Sequence, residues 1–442
     1  MSDAAALDVF DRRESEVRGY IRAFPTVFDR AVGSTLIDAD GREYLDFFAG
    51  AGVLNYGHNN PVFTRALIEY LERDGIIHGL DMATTAKKAF IEAFERLVLA
   101  PRGLDHKLQF TGPTGSNAVE AALKVARQAT GRSTVVAFTN AFHGLSLGSL
   151  AATGNSHYRG AAGVGLDDIA RLPYDGYLGA DVDTLDLLEK MLDDAGSGLD
   201  LPAAVIVEAV QGEGGINIAS APWLRRLREL TAARGILLIL DEIQAGVGRA
   251  GAFFAFEEAG IVPDIVTVSK SISGSGLPMS LVLLRPDVDV WKPGQHTGTF
   301  RGNNLAFVSA RVALETYWGD SAFTDGVASK SALLRAELER IAADHPELGL
   351  VVRGRGLMYG LACDSDRTLA GRISAEAFRR GLVIETSGAF DEVLKFLPAL
   401  TISEEELGRG LAIVRESLDA VLAATPPPEF YPLLRTMAQV AR

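Results

Sequence analysis

The run "DIVTVSK" carries strand-forming residues, Ile265 to Ser269, straight into Lys270. A lysine held in a partly apolar place has a lowered pKa, and its neutral amine attacks carbonyls. Taken alone, such a lysine is more often paired or snorkelling. Other apolar runs deliver further reactive residues at their ends, where parallel α/β sheets gather ligands. After "KLQFTG" come Thr114, Gly115 and Ser116, which open a helix. Free N–H groups, a hydroxyl and the helix dipole make an anion site there, with an ordinary helix cap as the competing reading. After "STVVAFTN" come Phe142, His143 and Gly144. His143 has no second histidine at ligand spacing, which argues against a metal site. "AAVIVEAV" delivers Glu208, and Glu213 follows in a glycine-rich turn. A carboxylate after such an apolar run needs a partner. "GILLILDEIQ" delivers Asp241, Glu242 and Gln244.

Together these strand ends meet four demands. A helix N-terminus suits a phosphate, an aromatic side chain one face of a flat ring, Asp241 a protonated ring nitrogen, and Lys270 an aldehyde. Pyridoxal 5′-phosphate makes those demands, because its ring takes up electrons only while a carboxylate keeps its nitrogen protonated. Two other readings fail. Gly246, Gly248 and Gly251 spell G-x-G-x-x-G, but Asp241 to Gln244 separate the strand from the glycines, and Lys270 rather than an acid closes the next strand. The Asp241–Glu242 pair suggests a nucleotidase magnesium site, but no G-x-x-x-x-G-K-[ST] loop occurs.

The elements that position these residues alternate. "SNAVEAALKVARQATG" reads as an amphipathic helix closed by Gly131, and "APWLRRLRELTAARG" as another. Between and after the helices lie "STVVAFTNAF", "AAVIVEAV", "GILLILDEI", "DIVTVSK" and "MSLVLLR". Runs apolar almost throughout predict an α/β fold whose mostly parallel sheet is covered on both faces. The flanks differ. Residues 21–60 hold short pieces such as "STLIDADGREYLDFF", where Asp-Gly suggests a hairpin. Residues 320–420 mix helices with short strands such as "VVRGRGLMYGLAC" and "GLVIETSG". The expected plan is a large domain over 61–315 and a small α+β domain from both chain ends, 1–60 and 316–425. "TPPPEFYP" should end the last helix, leaving 426–442 as a surface tail.

The 442 residues exceed what one compact core usually holds. A formal net charge of −14 argues against nucleic acid and anionic membranes as partners. The single cysteine, Cys363, builds no disulfide or CxxC zinc site and reads as a small core residue. The N-terminus lacks an apolar h-region and no apolar run is long enough to span a bilayer, so a cytoplasmic setting is expected.

"ILDEIQAGVGRAG", the lysine of "VSKSISG", "TGSNAVEAALKVAR" and "TGTFRGNN" resemble the class III aminotransferases of pyridoxal-phosphate fold type I. The resemblance covers nearly the whole chain. It implies Lys270 as the lysine that bonds the cofactor aldehyde and shuttles the proton, Asp241 on the pyridine nitrogen, and Gln244 near the phenolic oxygen. Gly115 and Ser116 would bind phosphate, Phe142 would stack on the ring, and Glu208 would lie beside the cofactor. Thr299 would reach the phosphate of a neighbouring subunit, which implies a homodimer with the site at its interface.

"RRESEVRGYIRAFPTVFDRA", "YLDFFAGAGVLNYGHNNP" and "DGIIHGLDMATTAKKAFIEAF" bring the chain closer to the L-2,4-diaminobutyrate:2-oxoglutarate aminotransferases of ectoine biosynthesis. That resemblance implies amino transfer from glutamate to L-aspartate 4-semialdehyde. The alternative is another ω-aminotransferase acting on ornithine, 4-aminobutyrate or a diamine. In the related 4-aminobutyrate and ornithine enzymes, a C-terminal-domain arginine takes the glutamate α-carboxylate and a glutamate gates it. Glu213 matches the gate, but Lys395 of "VLKFLPALT" stands at the arginine position. Lysine is a point charge without the bidentate fork, so carboxylate recognition must differ. Leu145 stands where the 4-aminobutyrate enzymes carry a carboxylate-binding arginine, which counts against that substrate. Lys395→Ala is expected to weaken glutamate use with little loss of bound cofactor. Steady-state kinetics with glutamate test this, and unchanged values would dismiss the role.

Overall fold

The structure is a computed structural model that describes residues 3–424. The "TPPPEFYP" stretch and the tail beyond it lie outside the described residues.

Near the N-terminus, β1 (Phe28–Val32), β2 (Thr35–Asp38) and β3 (Glu43–Asp46) form an antiparallel meander. The Asp40–Gly41 turn joins β2 to β3, as the dipeptide suggested. The central sheet holds β4 (Lys107–Phe110), β5 (Val135–Phe138), β6 (Ile169–Leu172) and β7 (Ala204–Val207). A small pair, β8 (Val210–Gln211) and β9 (Asn217–Ile218), follows as a separate ribbon. The central sheet then adds β10 (Leu237–Asp241), β11 (Ile265–Val268) and β12 (Leu281–Leu284). Its order is β4-β12-β11-β10-β7-β5-β6. All neighbours run parallel except β12, which is antiparallel to both β11 and β4.

Side chains alternate between two cores. Val136, Phe138, Val205, Val207, Leu238, Leu240, Val266 and Val268 enter one. Val135, Ala137, Ala204, Ile206, Leu237, Ile239 and Ile265 enter the other, against the helix Gly115–Thr130. A strand buried on both faces has no polar side to show, which is why these runs read as continuously apolar. Edge strand β6 had no such signature and was not anticipated.

The C-terminal part holds β13 (Val351–Arg355), β14 (Met358–Ala362), β15 (Leu382–Val383), β16 (Glu385–Ser387) and β17 (Val393–Phe396). Its sheet order is β13-β14-β17-β16. "GLVIETSG" is therefore two strands and not one. β15 leaves to pair in parallel with β3, and after Ile384 the chain enters the other sheet as β16. This crossing ties the two chain ends together. Leu45 and Phe47 join Leu334, Leu361, Phe396 and Leu411 in a core separate from that of the central sheet. Cys363 is buried and free. The G-x-G-x-x-G loop is a packing element: Gly248 has φ +85° and a Cβ there would lie 2.9 Å from Trp318.

Candidate active site

Lys270 follows β11, and its amine lies among groups delivered by β10, the β8–β9 turn and the segment after β3. Its backbone is left-handed, φ +52°. That conformation is uncommon outside glycine and costs about 1–2 kcal/mol. Lys270 Nζ donates to the Ala51 carbonyl at 2.9 Å. Ala51 belongs to a left-handed run with Ala49, Gly50 and Gly52 that turns the carbonyl inward. The run is held by Ser271 Oγ, which donates to the Gly52 carbonyl at 2.6 Å. Burial pushes the Lys270 ammonium pKa down, while Glu213, Glu385 and Asp241 pull it back up.

Asp241 ends β10 and is 3% exposed. The parallel register sets it beside Thr267, whose hydroxyl donates to Oδ1 at 3.0 Å. The Ile243 N–H donates to the same oxygen at 3.1 Å. Oδ2 lies 2.7 Å from His143 Nδ1. His143 is thus the partner that orients the carboxylate, a role the sequence did not reveal. Its other nitrogen, Nε2, is buried with no hydrogen-bond partner.

Glu208 receives the Phe142 N–H on Oε1 (3.0 Å) and the Gly212 N–H on Oε2 (3.3 Å). It therefore pins the loop that carries Phe142 to the turn that carries Glu213. Phe142 is half-buried and meets Tyr158 edge-on, with centroids 5.6 Å apart.

At the helix Gly115–Thr130, the Thr114 hydroxyl accepts from the Asn117 N–H at 3.2 Å and so serves as the N-cap. The capping reading holds for Thr114. Ser116 Oγ instead accepts from the Leu145 N–H at 3.3 Å. Gly144 lies so close that a Cβ there would stand 2.2 Å from Ser116 Oγ. The first-turn N–H groups of Gly115 and Ser116 have no acceptor within the helix.

Gln244 Nε2 donates to Glu213 Oε1 at 3.0 Å and to the Ala51 carbonyl at 3.1 Å. Its Oε1 is buried with no partner. Lys395 Nζ in turn donates to Glu213 Oε1 at 2.8 Å and lies 2.9 Å from Glu385 Oε1. The Tyr20 hydroxyl donates to Glu385 Oε2 at 3.3 Å. Burial alone would lower the Lys395 ammonium pKa, but Glu213 and Glu385 raise it above the usual lysine range. Burial alone would raise Glu213, but Lys395 and Lys270 bring it to about 2. Burial lifts Glu385 to about 7 against the pull of Lys395. One hydrogen-bonded chain thus runs from Lys270 through Ala51, Gln244 and Glu213 to Lys395.

Thr299 stands apart from the other expected residues. It is exposed, and its carbonyl lies 2.6 Å from His78 Nε2. Among the described residues no hydrogen bond ties it to the site of its own chain.

These residues fit pyridoxal 5′-phosphate. They offer a buried amine, a fixed carboxylate, an aromatic one residue before the histidine that bonds that carboxylate, and a helix start against which Gly144 brings no side chain. Gln244 Oε1 is a buried acceptor without a partner, packed against Gly212. Glu385 and Tyr20 were missed. An acid inside the apolar "LVIE" was a signal of the same kind as Glu208, but its partner lies on another strand.

A model of the family described as "Aminotransferase class-III" matches residues 18–418. The diaminobutyrate–2-oxoglutarate transaminase of Bordetella parapertussis is 61% identical over 421 residues, covering 95% of this chain and 97% of that one. The enzyme of the same name from Wolinella succinogenes is 56% identical over 414 residues, covering 94% and 96%. Among solved structures, the ornithine aminotransferase of Toxoplasma gondii superposes with a TM-score of 0.82 at 28% identity, covering 96% of each chain.

Burial raises the Glu208 carboxyl pKa to about 7 despite the opposing pull of His143. Such a group stabilises the fold fully below its unfolded pKa and loses that contribution as pH rises through the folded value. Glu208→Gln, which carries no charge, should therefore gain on the parent protein between pH 5 and pH 8, by roughly 3 kcal/mol at most. Thermal melts of both proteins at the two pH values check this, and a gap independent of pH would refute it.

Proposed function

This chain belongs to the class-III aminotransferases, and on that premise we propose that it converts L-glutamate and L-aspartate 4-semialdehyde to 2-oxoglutarate and L-2,4-diaminobutyrate. The observation that carries the choice of substrates is the identity of 61% to a transaminase named for diaminobutyrate and 2-oxoglutarate, over nearly the full length of both chains. The protein is a pyridoxal-phosphate enzyme. The reaction would be the first step of ectoine biosynthesis.

Bound pyridoxal 5′-phosphate supplies an aldehyde for the amino group and a ring that takes up the electron pair left when a proton departs. The remaining tasks fall to the chain. Asp241, oriented by His143 and Thr267, would keep the ring nitrogen protonated. Gly115 and Ser116 would take the phosphate, Phe142 would cover one ring face, and Gln244 would meet the phenolic oxygen. Lys270 would hold the aldehyde at rest. Once released as a free amine, it would lift the proton from the reacting carbon of glutamate and return one to the acceptor. Its burial favours the neutral amine such a base requires. Glu213 would leave Lys395 when a glutamate carboxylate arrives, which matches an ion pair in which one partner sits on a turn.

Thr299 is exposed and opens the short segment Thr299–Gly302, where it would serve the phosphate of a second subunit. We include a homodimer with shared sites in the proposal, and a cytoplasmic setting. Among the described residues no helix is long and apolar enough to cross a membrane.

A panel of amino acceptors with glutamate as donor tests the assignment. L-Aspartate 4-semialdehyde should surpass glutamate 5-semialdehyde and succinic semialdehyde at least tenfold in kcat/KM. A preference for either of the other two would move the protein to the ornithine or 4-aminobutyrate branch.

A further inference from the structure

Ala49, Gly50, Ala51 and Gly52 all have positive φ, from +47° to +82°. They make one turn of left-handed backbone, which is unfavourable for the two alanines. Such a turn persists only where its surroundings hold it. Its C-terminal end meets the reacting part of the site. Lys270 Nζ and Gln244 Nε2 both donate to the Ala51 carbonyl, and the Ser271 hydroxyl donates to that of Gly52. Ser271 is the residue after Lys270, so it ties the turn to the lysine's own segment and gives it no outside reference.

The outside reference is Asp46. It ends β3 and is 2% exposed. Its Oδ1 accepts the Phe48 and Ala49 N–H groups, each at 2.8 Å, at the N-terminal end of the turn. Its Oδ2 lies 2.7 Å from His58 Nε2, so the ring donates there. His58 is itself fixed by two backbone bonds to Gly33 in the β1–β2 turn, of 2.9 and 2.8 Å. The Asp46 N–H donates to the Ser34 carbonyl at 2.8 Å. Asp46 thus fastens the left-handed turn to the N-terminal meander, a frame that does not include the lysine.

Resting on the reading of Lys270 as the base, we propose that Asp46 is a positioning residue for that lysine. It acts through the left-handed turn and the Ala51 carbonyl, and His58 holds its carboxylate in place. Proton transfer requires the lone pair of the released Nζ to face the C–H bond of the reacting carbon. A neutral amine on a flexible four-carbon stem has many orientations. Giving one N–H to a fixed carbonyl removes most of them. As the C–H bond breaks, its electron pair passes to the bound cofactor and the proton forms a third N–H on Nζ. The bond to Ala51 is kept throughout. Neither Asp46 nor His58 touches the substrate, so their contribution falls on the proton-transfer rate and not on substrate binding.

The test follows the glutamate half-reaction by stopped-flow absorbance, which separates its rate from the saturation constant for glutamate. Asp46→Ala should lower the rate at least roughly tenfold and leave the saturation constant within about twofold. Asp46→Asn keeps an acceptor for the two N–H groups and should recover most of the rate. His58→Leu removes the outer donor and should lower the rate by a smaller factor, which secures a result where Asp46→Ala does not fold. The comparison is repeated in a Lys270→Ala background with methylamine supplied as the base. There Asp46→Ala should cost less than about twofold, because no tethered amine remains to be aimed. Equal losses in both backgrounds would mark a general loss of packing and overturn the proposal. In the cofactor-free protein, amide hydrogen exchange at Phe48 to Val53 should be at least roughly tenfold faster in Asp46→Ala, with that of β10 unchanged. Unchanged exchange at Phe48 to Val53 would also overturn it. A Lys270→Ala protein that kept the parent rate without methylamine would overturn the reading of Lys270 as the base, and the proposal with it.

Discussion

The structure turns on the contest at Lys270 between burial, which expels charge from an amine, and nearby carboxylates, which invite it. Neither side can be removed. Without burial the amine would stay protonated and could not act as a nucleophile or base. Without Glu213, Glu385 and Asp241 around it, burial would act unopposed. The fold sets this contest by bringing three separate pieces to the end of β11. β10 brings Asp241 by parallel register, the β8–β9 turn brings Glu213, and the left-handed run at residues 49–52 brings the Ala51 carbonyl. Two stretches of strained backbone, at Lys270 and at Ala49–Gly52, meet at one hydrogen bond. Each is held by neighbours such as Ser271, whose hydroxyl bonds the Gly52 and Val53 carbonyls.

The same network connects the two buried lysines. Gln244 shares the Ala51 carbonyl with Lys270 and shares Glu213 with Lys395. A change in the charge or position of Glu213 is therefore felt at both lysines. The central sheet provides Asp241 and Lys270, and β16 and β17 provide Glu385 and Lys395. Glu385 and Lys395 thus come from the part of the chain that also closes the N-terminal meander through β15. Tyr20, from the N-terminal segment, bonds Glu385.

Much of this was legible in the sequence because strands buried on both faces announce themselves. "AVIVE", "LLILD" and "IVTVSK" each end in a polar residue that the apolar run makes conspicuous, and those residues are Glu208, Asp241 and Lys270. The helix from Gly115 was readable from its periodicity and its Gly131 stop, which has the left-handed backbone expected at a helix end. Three features were not legible. The Ala51 carbonyl is a backbone group, so no side chain marks it. His143 faces Asp241 across a distance in sequence that no spacing rule spans. Glu385 sits where "GLVIETSG" changes sheets, and a single-strand reading gives no reason for the acid to meet Lys395. Local patterns report burial well, but they do not report which strands will lie side by side.

The central claim is that the Lys270 nitrogen carries the cofactor aldehyde. Borohydride reduction of the purified protein, followed by digestion and mass mapping, tests it most directly. The account predicts a pyridoxyl group on the peptide containing Lys270 and on no other lysine. A reduced protein without that adduct, or with the adduct on Lys395, would contradict it.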